Sequence, residues 1–169
     1  MLENEDFVKW ANENIVVADF KSPADDSTLG ATAAEALRTD LAQSKSLHVL
    51  SRAGMRQVLT LMQRSDESTV PFDLAREIAT REGAKALLDG SIVRIGQSYV
   101  ISARLVAALD GTELVTFRET ADGENDLIVA LGRLSRAVRE RAGESLRNIR
   151  QSSELERVTT PSLGLPTWP

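Results

Sequence analysis

Two glycine turns, Gly96-Gln97 and Asp110-Gly111, interrupt the strongest run of strand-forming sequence in the chain. They constrain the fold more than any other feature. The segment FDLAREIATREGAKALLDGSIVRIGQSYVISARLVAALDGTELVTFRETA, residues 72–121, reads as one helix followed by three strands. Gly96-Gln97 places glycine first in a two-residue loop, as a type II′ turn requires; Asp110-Gly111 favours type I′. Two-residue loops also fix the pairing. Ile95 then faces Ser98, Arg94 faces Tyr99 and Asp89 faces Arg104. On the next hairpin Leu109 faces Thr112, which sets Arg104 opposite Phe117. One face of this meander gathers Leu88, Ile92, Ile101, Ala103, Leu105, Ala107 and Leu114, a surface for a long helix. The other gathers Asp89, Ser91, Ser102, Arg104 and Glu119 among Val93, Val106 and Val115.

The rest of the chain supplies two crossovers and that long helix. Asn14–Phe20 is a short apolar run of the kind that forms a buried parallel strand. The loop 21–28 is rich in turn formers and helix caps. Leu29, Ala33, Ala36, Leu37 and Leu41 recur at helical spacing up to Ser44. Leu47–Leu50 forms a second strand, and Met55–Gln63 a short helix. Phe72–Glu82 forms another helix, stopped by Gly83 at C′. Residues 124–150 carry Leu127, Leu131, Leu134, Val138, Ala142, Leu146 and Ile149 in one stripe, with Arg147 and Arg150 suiting the negative end of the helix dipole. The order β-α-β-α-α-β-β-β-α implies an α/β fold, a three-layer domain with helices on both faces. Its five-stranded mixed sheet has the order 2-1-3-4-5, with strand 4 antiparallel. The domain reading is an N-terminal extension at 1–13, the α/β domain at 14–150 and a Ser/Thr/Pro-rich tail or linker at 151–169.

Composition narrows the function classes. With 169 residues and a 42% hydrophobic share, the chain can bury a real core, built from aliphatic residues because aromatics are 4%. Twenty basic against 25 acidic residues give a net charge of −5, and the signs alternate along most segments. Nucleic acid is therefore not an expected partner. There is no cysteine for disulfide or thiolate chemistry. No stretch approaches the ~20 apolar residues that span a bilayer, so membrane insertion by this chain is not expected. The opening MLENEDFVKWANEN lacks the apolar core of a signal peptide.

Two groups of residues are candidate sites. The first is the loop after strand 1, with Asp19, Lys21, Ser22, Asp25, Asp26 and Thr28, beside the crevice between strands 1 and 3 where open α/β sheets bind ligands. No phosphate-loop glycine pattern accompanies it, and Asp25 and Asp26 would repel a phosphate. The second is Asp89, Arg104 and Glu119 in mid-sheet. Such charges more often form a structural cross-strand ion pair than a ligand site. His48, the one histidine, reads as a strand residue rather than a general base. The arginines of the last helix interleave with Glu140 and Glu144, as on a solvated face. No catalytic residue, cofactor or metal site is identifiable.

In combination, IVVADF at 15–20, AEALRTDL at 34–41, LHVLSRA at 47–53 and LAREIATREGAKALLDGSIVRIGQSYVISARLVAALDGTEL at 74–114 resemble the TolB amino-terminal-like domain of bacterial signalling proteins. LERVTTPSL at 155–163 is similar to the linker that leads into tetratricopeptide-type repeats in such proteins. The resemblance implies a mixed α/β sheet without recognised catalysis, set between a membrane-anchored serine/threonine kinase and a repeat array, or joined to a cyclase. It implies a place outside the cytoplasmic membrane in the kinase arrangement and a cytoplasmic one otherwise. No kinase motif precedes residue 14, and Gly-Leu-Pro-Thr-Trp-Pro after Leu163 cannot begin a helical repeat, so the chain reads as a piece of a longer protein. The expected function is a non-enzymatic sensory or protein-interaction module, with a protein partner or a small ligand. The alternative is a small hydrolase or transferase using the crevice at the C-terminal end of strands 1 and 3; a filled crevice would favour the module.

Overall fold

The strand Asn14–Val17 (β1) buries Ile15 and Val17 in one core and Val16 in another, because successive side chains leave opposite faces of a sheet. The computed structural model describes residues 14–44 and 47–142. The N-terminal extension, residues 143–150 of the expected last helix and the tail lie outside the described residues, as do Glu144, Leu146, Arg147, Ile149 and Arg150.

Around β1 the sheet has the expected five strands in the order β2-β1-β3-β4-β5. β2 (His48–Val49) and β3 (Ala86–Ile95) flank β1 in parallel, while β4 (Ser98–Ala107) and β5 (Glu113–Ala121) continue as an antiparallel meander. The helices are α1 (Leu29–Ala42), α2 (Arg52–Leu61), α3 (Phe72–Glu82) and α4, described over 124–142. One core joins Leu37 and Leu41 of α1 and Leu127, Leu134 and Val138 of α4 to Leu88, Ile101 and Leu105 of the sheet. The opposite core joins Met55 and Leu59 of α2 and Leu74 and Ile78 of α3 to Val16, Leu87 and Val106.

Element ends follow their caps. α3 runs from Phe72 to Glu82 and is ended, as expected, by Gly83 with a left-handed φ of 71°. α2 begins at Arg52, three residues before the expected Met55, because the Ser51 hydroxyl accepts the Gly54 amide and caps it. Regular β1 ends at Val17, yet the chain stays stitched to β3: Ala18 donates to the Leu88 carbonyl at 2.9 Å, and Lys21 bridges to Ser91.

The first hairpin has the expected register throughout, from Ile95 opposite Ser98 to Asp89 opposite Arg104. Gly96 has φ 64° and Gln97 does not take positive φ, as a type II′ turn demands. The second hairpin differs. Asp110 has no positive φ, so type I′ is excluded; only Gly111 is left-handed, at 76°. The loop takes in residues 108–111, closed by the Ala107 amide on the Thr112 carbonyl at 2.8 Å. A β-bulge then leaves Leu114 between the pairs Val106–Glu113 and Leu105–Val115. Arg104 consequently faces Thr116, not Phe117, and Ser102 faces Arg118. A shift of one residue exchanges the faces of a strand. Glu119 and Val115 therefore belong to the α4 side, and Thr116 and Arg118 to the polar side.

Candidate functional site

The crevice beside β1 is occupied by the chain itself. Lys21 donates its amide to the Gly90 carbonyl and accepts from the Ile92 amide, both at 2.9 Å, so the loop after β1 joins the sheet. Phe20, 4% exposed, lies against Gly90. A Cβ on Gly90 would stand 2.6 Å from the Phe20 ring, and one on Gly30 would stand 1.9 Å from the Phe20 carbonyl oxygen. These glycines make room for the plug. Asp19 is buried behind it. Its Oδ1 accepts from Arg38 Nη2 at 2.9 Å, its Oδ2 accepts from the Val70 amide at 2.9 Å, and Arg52 stands 3.9 Å away. Arg38 also donates Nε and Nη2 to the Val17 carbonyl and Nη1 to Glu35. Sequence reasoning missed Arg38, since an arginine on an amphipathic helix carries no local sign that it turns inward.

The other loop candidates hold the loop's own shape. The Ser22 hydroxyl accepts the Gly30 amide at 2.7 Å and donates to the Ser27 carbonyl. It thereby does the capping that Thr28 does not. Asp26 Oδ1 accepts from the amide and hydroxyl of Thr28. Asp25 pairs at 2.6 Å with Arg94, whose guanidinium lies 5.6 Å from the centre of the Tyr99 ring. The Asp25 hydrogen bond holds that guanidinium above its ordinary pKa.

Lys21 goes elsewhere. Its exposed side chain lines a groove of about 480 Å³ on the polar face of β3, β4 and β5, shared with Asp89, Ser91, Ser102, Arg104 and Arg118. α2 and α3 leave this part of the sheet uncovered; Val93 beside it is 49% exposed. The Asp89 side chain, 12% exposed, accepts from Arg104 at 3.3–3.4 Å in the expected cross-strand pair. Arg104 stacks 4.8 Å over the Phe72 ring at the start of α3 and stands 3.6 Å from Glu113. The acidic neighbour is thus Glu113. Glu119, expected here, accepts from Arg133 Nε of α4 at 2.7 Å on the opposite face, and that bond raises the Arg133 pKa. The bulge replaces an expected acid with the base Arg118; the longer second loop alone moves the register by two residues and keeps the faces, so only the extra residue at Leu114 reveals the exchange.

Among the described residues Lys21 and Arg118 make no ion pair or side-chain hydrogen bond. His48 is exposed on β2, opposite Asn14. Among the described residues no group of three acids or histidines could hold a metal ion, and no helix is long and apolar enough to cross a membrane.

No protein-family model matches the chain, and no curated protein matches it. Solved structures do. The C-terminal domain of LpoB from Escherichia coli is 18% identical, with a TM-score of 0.57 over 65% of this chain and 82% of that one. Lipoprotein GNA1162 from Neisseria meningitidis is 17% identical, with a TM-score of 0.52 over 78% of this chain and 98% of that one. PelC from Paraburkholderia phytofirmans, solved as a dodecamer, is 13% identical, with a TM-score of 0.52 over 76% and 87%. At these identities the likeness is one of architecture: the chain shares its α/β fold with these three proteins.

Proposed function

We propose that the chain is a non-enzymatic recognition module, a TolB amino-terminal-like domain of a bacterial signalling protein, that meets its partner through the open polar face of β3, β4 and β5. The observation that carries this reading is the filled crevice. In open α/β sheets, ligands enter at the switch point, and here Phe20 occupies it while Asp19 is engaged by Arg38 and Val70. What stays open is a polar sheet face. The fold is compatible with contacts between chains, since the PelC structure is a dodecamer. The kinase- or cyclase-associated context rests on the resemblance, which covers about residues 14–150, and with it an extracytoplasmic place beside a membrane-anchored kinase or a cytoplasmic one otherwise.

A photo-crosslinking residue at Ser102, compared with one at Leu61 on α2, tests the reading in the source bacterium. A discrete protein adduct at Ser102 that charge reversal by Arg104→Glu removes supports it. Turnover of an ester or phosphoester substrate that is lost on Asp89→Asn would instead favour the hydrolase or transferase alternative.

A further inference from the structure

The groove over β3, β4 and β5 holds more positive charge than its surroundings neutralise. Arg104 is engaged by Asp89 at 3.3 Å and lies 3.6 Å from Glu113. Lys21 and Arg118, lining the same groove, have no such partner among the described residues. Asp89 does not supply one: its carboxylate is nearly buried and bonded to Arg104. Two uncommitted cations in one concavity run against the −5 charge of the chain and raise the local concentration of anions. Ser91 and Ser102, cross-strand neighbours on the same face, add hydroxyls that make no side-chain hydrogen bond among the described residues. The volume of about 480 Å³ lies within the usual range for small-molecule sites, about 300–1,000 Å³.

We propose that this groove binds a small ligand through an oxyanion, a phosphate ester or a carboxylate, with Lys21 and Arg118 supplying charge and Ser91 and Ser102 donating hydrogen bonds. These four residues form one row across the sheet, and Arg104, held by Asp89 and stacked on Phe72, lies in the adjacent row and walls one side of it. The proposal rests on the reading of this face as a recognition surface, and it names the chemistry recognised there. The hydroxyls distinguish it from a purely electrostatic patch, because they add directed donors beside the two charges.

Titration of the isotope-labelled full chain with inorganic phosphate, and separately with citrate, tests it by nuclear magnetic resonance, with sodium chloride at matched ionic strength as the reference. Saturable amide shifts centred on Lys21, Ser91, Ser102 and Arg118 are expected in at least one arm, and the responding arm identifies phosphate or carboxylate. Lys21→Gln and Arg118→Gln should each weaken binding about tenfold, the usual value of a hydrogen bond to a charged group. Arg56→Gln, on α2 away from the groove, should leave it unchanged. All three side chains are exposed, so the variants should keep the wild-type melting temperature. Shifts that chloride reproduces, or that neither groove substitution weakens, overturn the proposal. A persistent Ser102 cross-link without saturable anion binding would overturn it as well, while leaving the recognition module in place.

Discussion

Arg38 and Asp19 form a buried ion pair at 2.9 Å between α1 and the end of β1, with side-chain exposures of 3% and 5%. The pair ties the first crossover to the sheet, since Arg38 also donates twice to the Val17 carbonyl. Taking two charges out of water is costly, and removing one partner leaves the other uncompensated. Arg38→Met should therefore lower stability by about 3–5 kcal/mol in urea denaturation. Adding Asp19→Asn to that variant should cost less than the same change in the wild-type chain, because the stranded charge is then gone. Strictly additive losses would show that the two residues do not act as a pair.

Phe20, Gly30 and Gly90 form a second unit. The added methyl of Gly30→Ala would meet the Phe20 carbonyl oxygen at 1.9 Å, and that of Gly90→Ala would meet the Ser102 carbonyl oxygen at 2.5 Å. Both obstacles are main chain and yield poorly. Each substitution should cost about 1–3 kcal/mol, the range for overpacking, while Phe20→Ala should cost about 3–5 kcal/mol by opening a cavity. Thermal melts followed by circular dichroism measure all three. A wild-type melting temperature for Gly30→Ala would contradict the plugged crevice.

The first hairpin was legible in the sequence because Gly96-Gln97 is short enough to leave one register. The sheet order was legible because helix-length crossovers alternate with strands. The second hairpin was not, because Asp110-Gly111 looks like a two-residue turn but sits inside a longer loop, and the surplus residue is taken up at Leu114. The longer loop alone keeps the faces; the one-residue bulge at Leu114 moves Glu119 to the α4 side and Arg118 to the polar side, and no turn signal in the sequence marks it. The Asp19–Arg38 pair and the seating of Phe20 between Gly30 and Gly90 were hidden for another reason. Each joins residues far apart in the chain, and no local pattern records such a contact.

The bulge register has a direct chemical test, since the chain contains no cysteine. Ser102 lies directly opposite Arg118, whereas Glu119 lies opposite Ile101. The double variant Ser102→Cys with Arg118→Cys should form a disulfide under mild oxidation, because opposed residues on one face bring their Cβ atoms within about 4.5–5.5 Å. The double variant Ser102→Cys with Glu119→Cys places its thiols on opposite faces and should stay reduced. Mass spectrometry after alkylation separates the two outcomes. Oxidation of the second pair in preference to the first would restore the bulge-free register.

Asp110 gives the second loop a pH dependence of known sign. The Thr112 amide, donating to Asp110 Oδ1 at 2.9 Å, and after it the Thr112 hydroxyl hold this carboxyl below its ordinary value. A depressed folded-state pKa means that ionised Asp110 favours the folded chain. Its contribution is present above the unfolded pKa of about 3.9, and it is lost as pH falls through the lower folded value. The melting temperature of Asp110→Ala should therefore lie below wild type near neutral pH, and the gap should close as pH falls below the usual carboxylate range. Because Asp110 is exposed, the gap should be small. Thr112→Pro, which removes the donating amide, should abolish the pH-dependent part at Asp110 while leaving its carboxylate in place. A gap that stays constant down to acid pH would mean that the turn does not depend on the charged form.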